Sequence, residues 1–303
     1  MVDEIDLLRR MRDEVPADVD VQGVERRLAT LTSTPARPAA RPARWRFALA
    51  GACALTIGTV VVSQLHEGRQ TAGIRQLEVR TPDAATVLES AALVAGRTKA
   101  VEIRPDQWFY LKESQHLGGD LPAFESWGRM DGTRQAVRVR GKLNVGDTER
   151  GPTHVGKTHK EIENLPADPD ALLDHFRALK GKRTPLSICE PRCPADIADS
   201  VKLFGTIGWY MKFGPMIPPD TSAAMYRALA KIPGVTVEEN TTDGDGRTGI
   251  GVVLDAGTFG KAYYVLDAKD YRYLGVKIVE PDGATVSMSV LGSGIVDRAG
   301  DVP

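Results

Sequence analysis

Apolar positions change their period several times along this chain. Near the start they recur at helical spacing, with Ile5, Leu8, Met11 and Val15 on one face of DEIDLLRRMRDEV and Val21, Val24, Leu28 and Leu31 on one face of VQGVERRLATL. Residues 1–31 are therefore expected to form two short amphipathic helices, the first stopped by Pro16. Neither is long enough to be stable alone, so both need a surface to fold against. Residues 32–46, rich in Pro, Ala and Arg, have no apolar period and read as an extended tether. From Phe47 to Leu65 the chain then runs FALAGACALTIGTVVVSQL, with no charge at all. At a rise of about 1.5 Å per residue such a helix reaches about 28 Å, close to the hydrocarbon thickness of a bilayer. Residues 47–65 are expected to cross a membrane once.

A cleaved signal peptide does not fit, because forty-six residues precede the apolar run. Nor does a lipoprotein signal at Cys53, since most of the apolar core follows that cysteine. Thr56, Thr59, Ser63 and Gln64 dilute the run as they would in a buried helix of a soluble domain, yet uncharged stretches of this length are uncommon there. Arg37, Arg41, Arg44 and Arg46 crowd the N-terminal flank without an acidic residue, whereas Glu67 accompanies Arg69 on the other side. Cationic flanks stay cytoplasmic, so the N-terminus is expected inside and the C-terminal part outside the cell membrane. Ala50, Ala54 and Gly58 offer a small-residue stripe for helix pairing, a feature common in membrane spans.

After a polar linker, residues 66–82, the region 83–303 is long enough for a domain with its own core. Residues 83–95 have a helical period. DQWFYLKES reads as an aromatic strand. Around Arg129 to Arg140, alternating runs flank Asp131-Gly132, a type I′ hairpin signal. Residues 142–166 show few periodic apolar positions and read as an exposed loop. Asp168 as N-cap, Pro169 at the first position and Gly181 beyond the end punctuate a helix with Leu172, Leu173 and Phe176 inward. Helices are also expected from Ala195 to about Met211 and from about Asp220 to Ile232. From Val235 onward the period is two, interrupted at Asp243-Gly244, Asp255-Ala256-Gly257 and Asp282-Gly283. This order predicts an α+β domain in which a curved antiparallel sheet is backed by helices.

Composition sharpens this picture by exclusion. A net charge of −1 with mixed signs gives no field for nucleic acid. The arm has no Cys or His and so holds no zinc. Cys189 and Cys193, the cysteines outside the span, are expected to pair as a small disulfide. His154 and His159 lack HExxH spacing and read as surface histidines. Asp243-Gly-Asp-Gly lacks the later bidentate acid of a calcium loop and reads as a hairpin turn. No GxSxG elbow is present. No catalytic residue, metal ligand or cofactor is assigned. Trp108, Phe109 and Tyr110 alternate faces on one strand, so some of these rings must leave the main core. Trp108 and Tyr110 are accordingly candidates for a ligand groove or for a second core layer.

Two resemblances add to this reading. The phrase YYVLDAKDYRYLGVKIVE, strand, Asp-initiated turn and strand, is similar to the repeated units of LolA and RseB type half-barrels, whose concave face shelters acyl chains or peptides. The phrases DLLRRMRDEVP, RPDQWFYLKE, LPADPDALLDHFRAL and MYRALAKIPGVTVEENTTDGDGRTGIGV resemble an actinobacterial family of single-pass membrane proteins of unknown biochemical function. Members of that family are often encoded beside sigma factors and offer no catalytic residues to carry over. The resemblance implies a membrane-linked, anti-sigma-like regulator or envelope sensor in signal transduction, with a sigma factor or another regulator as the cytoplasmic partner. The competing expectation is an extracytoplasmic module that binds lipid or peptide, with an inert inner arm. A cell-wall hydrolase is the third and weakest.

Overall fold

The computed structural model describes residues 83–148, 154–181, 184–189 and 193–303. The two amphipathic helices, the tether, the span at 47–65 and the linker all lie outside the described residues. Among the described residues, no helix is long and apolar enough to cross a membrane.

These residues form an α+β domain. Nine strands build one open antiparallel sheet in the order β4-β3-β2-β1-β9-β8-β7-β6-β5. Two meanders supply it: β1 (Trp108–His116), β2 (Asp120–Arg129), β3 (Arg134–Val139) and β4 (Lys142–Asp147), then β5 (Val235–Thr242), β6 (Thr248–Asp255), β7 (Lys261–Leu266), β8 (Tyr273–Val279) and β9 (Thr285–Val296). They join where β1 pairs with β9, from Trp108 opposite Val296 to His116 opposite Ser287. The five helices are α1 (Ala84–Gly96), α2 (Val155–Glu163), α3 (Pro169–Ala178), α4 (Ala198–Met211) and α5 (Pro219–Lys231).

The helices and one face of the sheet share a single core. Alternation places Phe109 and Leu111 of β1, Val252 and Leu254 of β6, Tyr264 and Leu266 of β7, and Val276 and Ile278 of β8 in this core. Every residue of α4 from Leu203 to Met211 is buried, so this helix is enclosed on all sides. It lies close against the sheet at Gly208, where an added Cβ would overlap the Tyr264 ring. That ring stacks on Phe204 at 4.1 Å, and its hydroxyl donates to the Phe204 carbonyl at 2.6 Å. Helix α1 meets α5 through small residues, among them Ala91, Ala92, Ala224 and Ala228, and a bidentate pair from Arg227 to Glu89 (2.9 and 2.7 Å) ties their outer faces. Helix α3 starts as its residues dictate: the Asp168 carboxylate accepts from the backbone N–H of Asp170 and Ala171, with Pro169 in the first turn. Its far end is closed by Lys202, which donates to the carbonyls of Arg177 and Leu179. Cys189 and Cys193 are joined as a disulfide in the α3–α4 connection, with Cα atoms 5.0 Å apart.

Two local expectations are corrected. The segment 142–166 is not a loop throughout, since it contains β4 and α2. Strand β4 exposes most of its residues, and α2 docks by backbone proximity: Gly156 sits so close to Gly132 and Met130 that a Cβ would meet the backbone at 2.7 to 3.0 Å. Ile162 (0% exposed) and Thr158 (1%) complete the contact, so the apolar period is too sparse to show in the sequence. The type I′ turn is also displaced by one hairpin. At Asp131-Gly132 only the glycine has positive φ, and the Asp131 carboxylate accepts from the Thr133 backbone N–H and hydroxyl. The tight turn joins β3 to β4 at Arg140-Gly141, both with positive φ (49° and 79°), which is the backbone a two-residue type I′ connection requires.

Candidate functional site

Between the sheet and the C-terminal ends of α1 and α4 lies a cavity of about 520 Å³, within the size range of small-ligand sites. Its walls come from the end of α1 and the chain beyond it, the proline-rich α4–α5 connection, the start of α5, Arg247 of the β5–β6 turn, the β7–β8 turn with the start of β8, and Val290 to Ser293 within β9. The local sequence explains the opening. Pro215, Pro218 and Pro219 cannot continue α4, so the chain crosses the top of the core in a short 3-10 turn at Gly214–Met216 before α5 begins at Pro219. Met211, Ile217, Met225, Leu274 and Val290 give the cavity apolar walls.

Charge in the walls is unevenly satisfied. Arg247 is fully engaged: it pairs with Asp243 at 2.6 Å and donates to the carbonyls of Val290 and Leu274 at 3.0 Å each. Arg272 pairs with Asp267 and, at 3.9 Å, with Asp270. Lys212, at the C-cap of α4, is only 7% exposed. Among the described residues no carboxylate lies within ion-pair distance of it. Its ammonium instead faces the rings of Trp209 at 4.4 Å and Phe213 at 5.3 Å. Lys99, exposed at the rim, likewise forms no ion pair among the described residues. The hydroxyls of Tyr226 and Tyr273 are pushed far up by burial and stay neutral across the physiological range. Tyr226 donates to the Tyr271 carbonyl at 2.6 Å, which steadies a non-glycine residue at φ 58° in the β7–β8 turn beside the cavity.

A second polar cluster lies at the β5–β6 turn. The Ser114 hydroxyl donates to Asp245, and His116 Nε2 stands 3.7 Å from the other oxygen of that carboxylate. Burial works to raise the Asp245 carboxyl, but Ser114, Ser289 and the neighbouring His116 and Arg247 outweigh it and hold the carboxyl below its ordinary value. In an acyl-transfer site the imidazole stands between hydroxyl and carboxylate. Here the carboxylate stands between the other two, which suits fastening the turn to β1. The Asp243 turn itself matches its sequence signature, with one carboxylate oxygen accepting from the backbone N–H of Asp245 and Arg247. Among the described residues no group of three or more His, Cys, Asp or Glu side chains could hold a metal ion.

The structure places Trp108 and Tyr110 away from the cavity, on the opposite face of β1 from Phe109. Tyr110, Trp127, Ala136 and Val296 form a second buried cluster there, with Trp108, Leu143 and Ala299 against it. Tyr110 is 4% exposed and donates to Glu125 at 2.9 Å. Burial, with the Glu125 acceptor adding to it, pushes its hydroxyl up to about 12. Because the folded value is raised, the stabilisation is complete below the unfolded value of about 10 and is lost as pH rises towards 12. Alkaline difference absorbance should therefore show a phenolate step near pH 12 that Tyr110→Phe removes. A step at pH 10 lost in the same variant would contradict it. His154 caps α2, its Nδ1 accepting from the Lys157 backbone N–H at 3.1 Å. His159 lies 3.9 Å from Glu163.

Sequence reasoning missed Lys212. The available signal was its setting, a lone cation inside Trp209-Tyr210-Met211-Lys212-Phe213 directly before a proline-rich break. Compared with known proteins, the chain matches no protein-family model and no curated protein.

Proposed function

We propose that this chain is a single-pass membrane protein whose outer domain binds a small envelope component without transforming it, and whose N-terminal arm reports that binding to a cytoplasmic regulator of the sigma-factor type. The observation that carries the binding half is the cavity at the helix–sheet seam, with apolar walls and a largely buried lysine that has no carboxylate partner among the described residues. A site with one buried cation and adaptable methionines is suited to holding a ligand. The membrane half rests on the uncharged run at 47–65 with its arginine-rich N-terminal flank, and the regulatory half on the amphipathic period of residues 1–31 together with the family resemblance.

Co-purification from gently solubilised membranes tests the relay. A transcription regulator is expected to accompany the tagged full-length chain and to be absent when residues 1–31 are deleted. Equal recovery of cytoplasmic proteins from both forms would overturn the relay. It would leave the second reading, an outer lipid- or peptide-binding module with an inert arm, which the same cavity favours.

A further inference from the structure

We propose that the cavity takes a singly headed anionic amphiphile, with its carboxylate or phosphate group on Lys212 and its apolar body against Met211, Met225, Leu274 and Val290. The inference rests on the reading of this cavity as a ligand site and goes further by naming the ligand class. Burying an ammonium is costly unless an anion or several acceptors meet it. Lys212 as a residue is all but buried and lines the cavity; its ammonium keeps some contact with solvent, and among the described residues ring faces rather than a carboxylate are what it meets. The carbonyl end of α4 adds a weak negative field, enough to favour a cation there but not to replace a counter-ion. The two arginines of the wall show the contrast, since each already has its carboxylate.

The apolar walls separate an amphiphile from a free inorganic anion. Met211, Met225, Leu274 and Val290 are largely buried, and an alkyl chain, unlike phosphate, can cover the small part of each that the cavity leaves open. Methionine, unbranched and polarizable, fits chains of different shape. Lys99, Lys212, Arg247 and Arg272 outnumber Asp270 in the walls, so the site disfavours a cationic ligand.

The test titrates the full-length chain, held in nanodiscs of zwitterionic lipid, with decanoate, decyl phosphate, decanol and inorganic phosphate by calorimetry. Empty nanodiscs titrated alike supply the partitioning blank. Decanoate or decyl phosphate is expected to saturate one site per chain, with decanol at least about tenfold weaker, the loss of one charge-assisted contact. Inorganic phosphate should not saturate. Whichever anion binds more tightly identifies the head group. Lys212→Met, which keeps an unbranched side chain but no charge, should weaken the anions by about tenfold or more and leave decanol unchanged, while Lys212→Arg retains most of the affinity. Lys142→Ala, on edge strand β4 and outside the walls, serves as the control, and unchanged melting midpoints certify the fold of each variant. Decanol binding as tightly as the anions, or wild-type anion affinity in a folded Lys212→Met, would overturn the head-group assignment while leaving the cavity a binding site. No saturable heat from any amphiphile would overturn the cavity reading itself.

Discussion

Replacing Tyr264 with alanine is expected to lower the unfolding free energy by about 3–5 kcal/mol, the range for deleting a buried aromatic ring. The ring is 1% exposed, lies flat on Phe204 and also meets Tyr273 edge-on at 5.8 Å, so neighbours on both α4 and β8 lose contact. The Phe204 carbonyl loses its hydroxyl donor as well. Gly208→Ala should destabilise from the other side, by about 1–3 kcal/mol, because its methyl enters the space the ring occupies. The two changes share that space, so the double variant should cost less than their sum. Pulse proteolysis of the full chain across a urea series measures all three. Additive losses, or a loss below about 1 kcal/mol for Tyr264→Ala, would show that α4 is not seated through this ring.

The long elements were legible because each has a local physical signal. Asp168 and Pro169 mark the start of α3, the period of two marks β5 to β9, and the alternation of Trp108, Phe109 and Tyr110 divides β1 between two apolar layers. The short elements were hidden for an equally physical reason. Helix α2 packs through Gly156 and Gly132, whose contribution is the absence of a side chain, and β4 is an edge strand whose residues are largely exposed. The trace each leaves is short, two apolar positions apiece: Leu143 and Val145 in β4, Val155 and Ile162 in α2. The pairing of β1 with β9 joins residues nearly two hundred positions apart, and no local pattern encodes it. The cavity was unreadable for the same reason, since its walls come from five separated segments that only the sheet order brings together. Lys212 carries the one local hint, because a charge within an otherwise apolar and aromatic run is costly to bury and therefore asks for a reason.

Trp127→Ala is expected to cost about 3–5 kcal/mol as well, but to loosen a different part of the domain. Trp127 is 0% exposed and centres the second cluster: Tyr110 lies 5.2 Å from its ring, Arg138 stacks over it at 5.1 Å, and its indole N–H donates to the Asp301 carbonyl at 2.7 Å. Arg138 and Tyr110 both converge on Glu125, and Arg138 also donates to the Gly300 carbonyl at 3.4 Å. The chain beyond β9 therefore acts as the cover of this cluster, and Pro303 packs so closely on Gly294 that a Cβ there would overlap it. Removing the indole takes away both the donor that holds this segment and the ring beneath it. Hydrogen exchange on the full chain should show amides of 297–303 and β2 to β4 losing protection well before those of β6 and β7, because stability in a sheet is lost unit by unit. Trp127→Phe should restore most of the packing but not the bond to Asp301, leaving a residual loss of about 0.5–1.5 kcal/mol. If Trp127→Ala instead lowers protection evenly over all nine strands, the two clusters form one cooperative unit, and the C-terminal segment is bound no more loosely than the core.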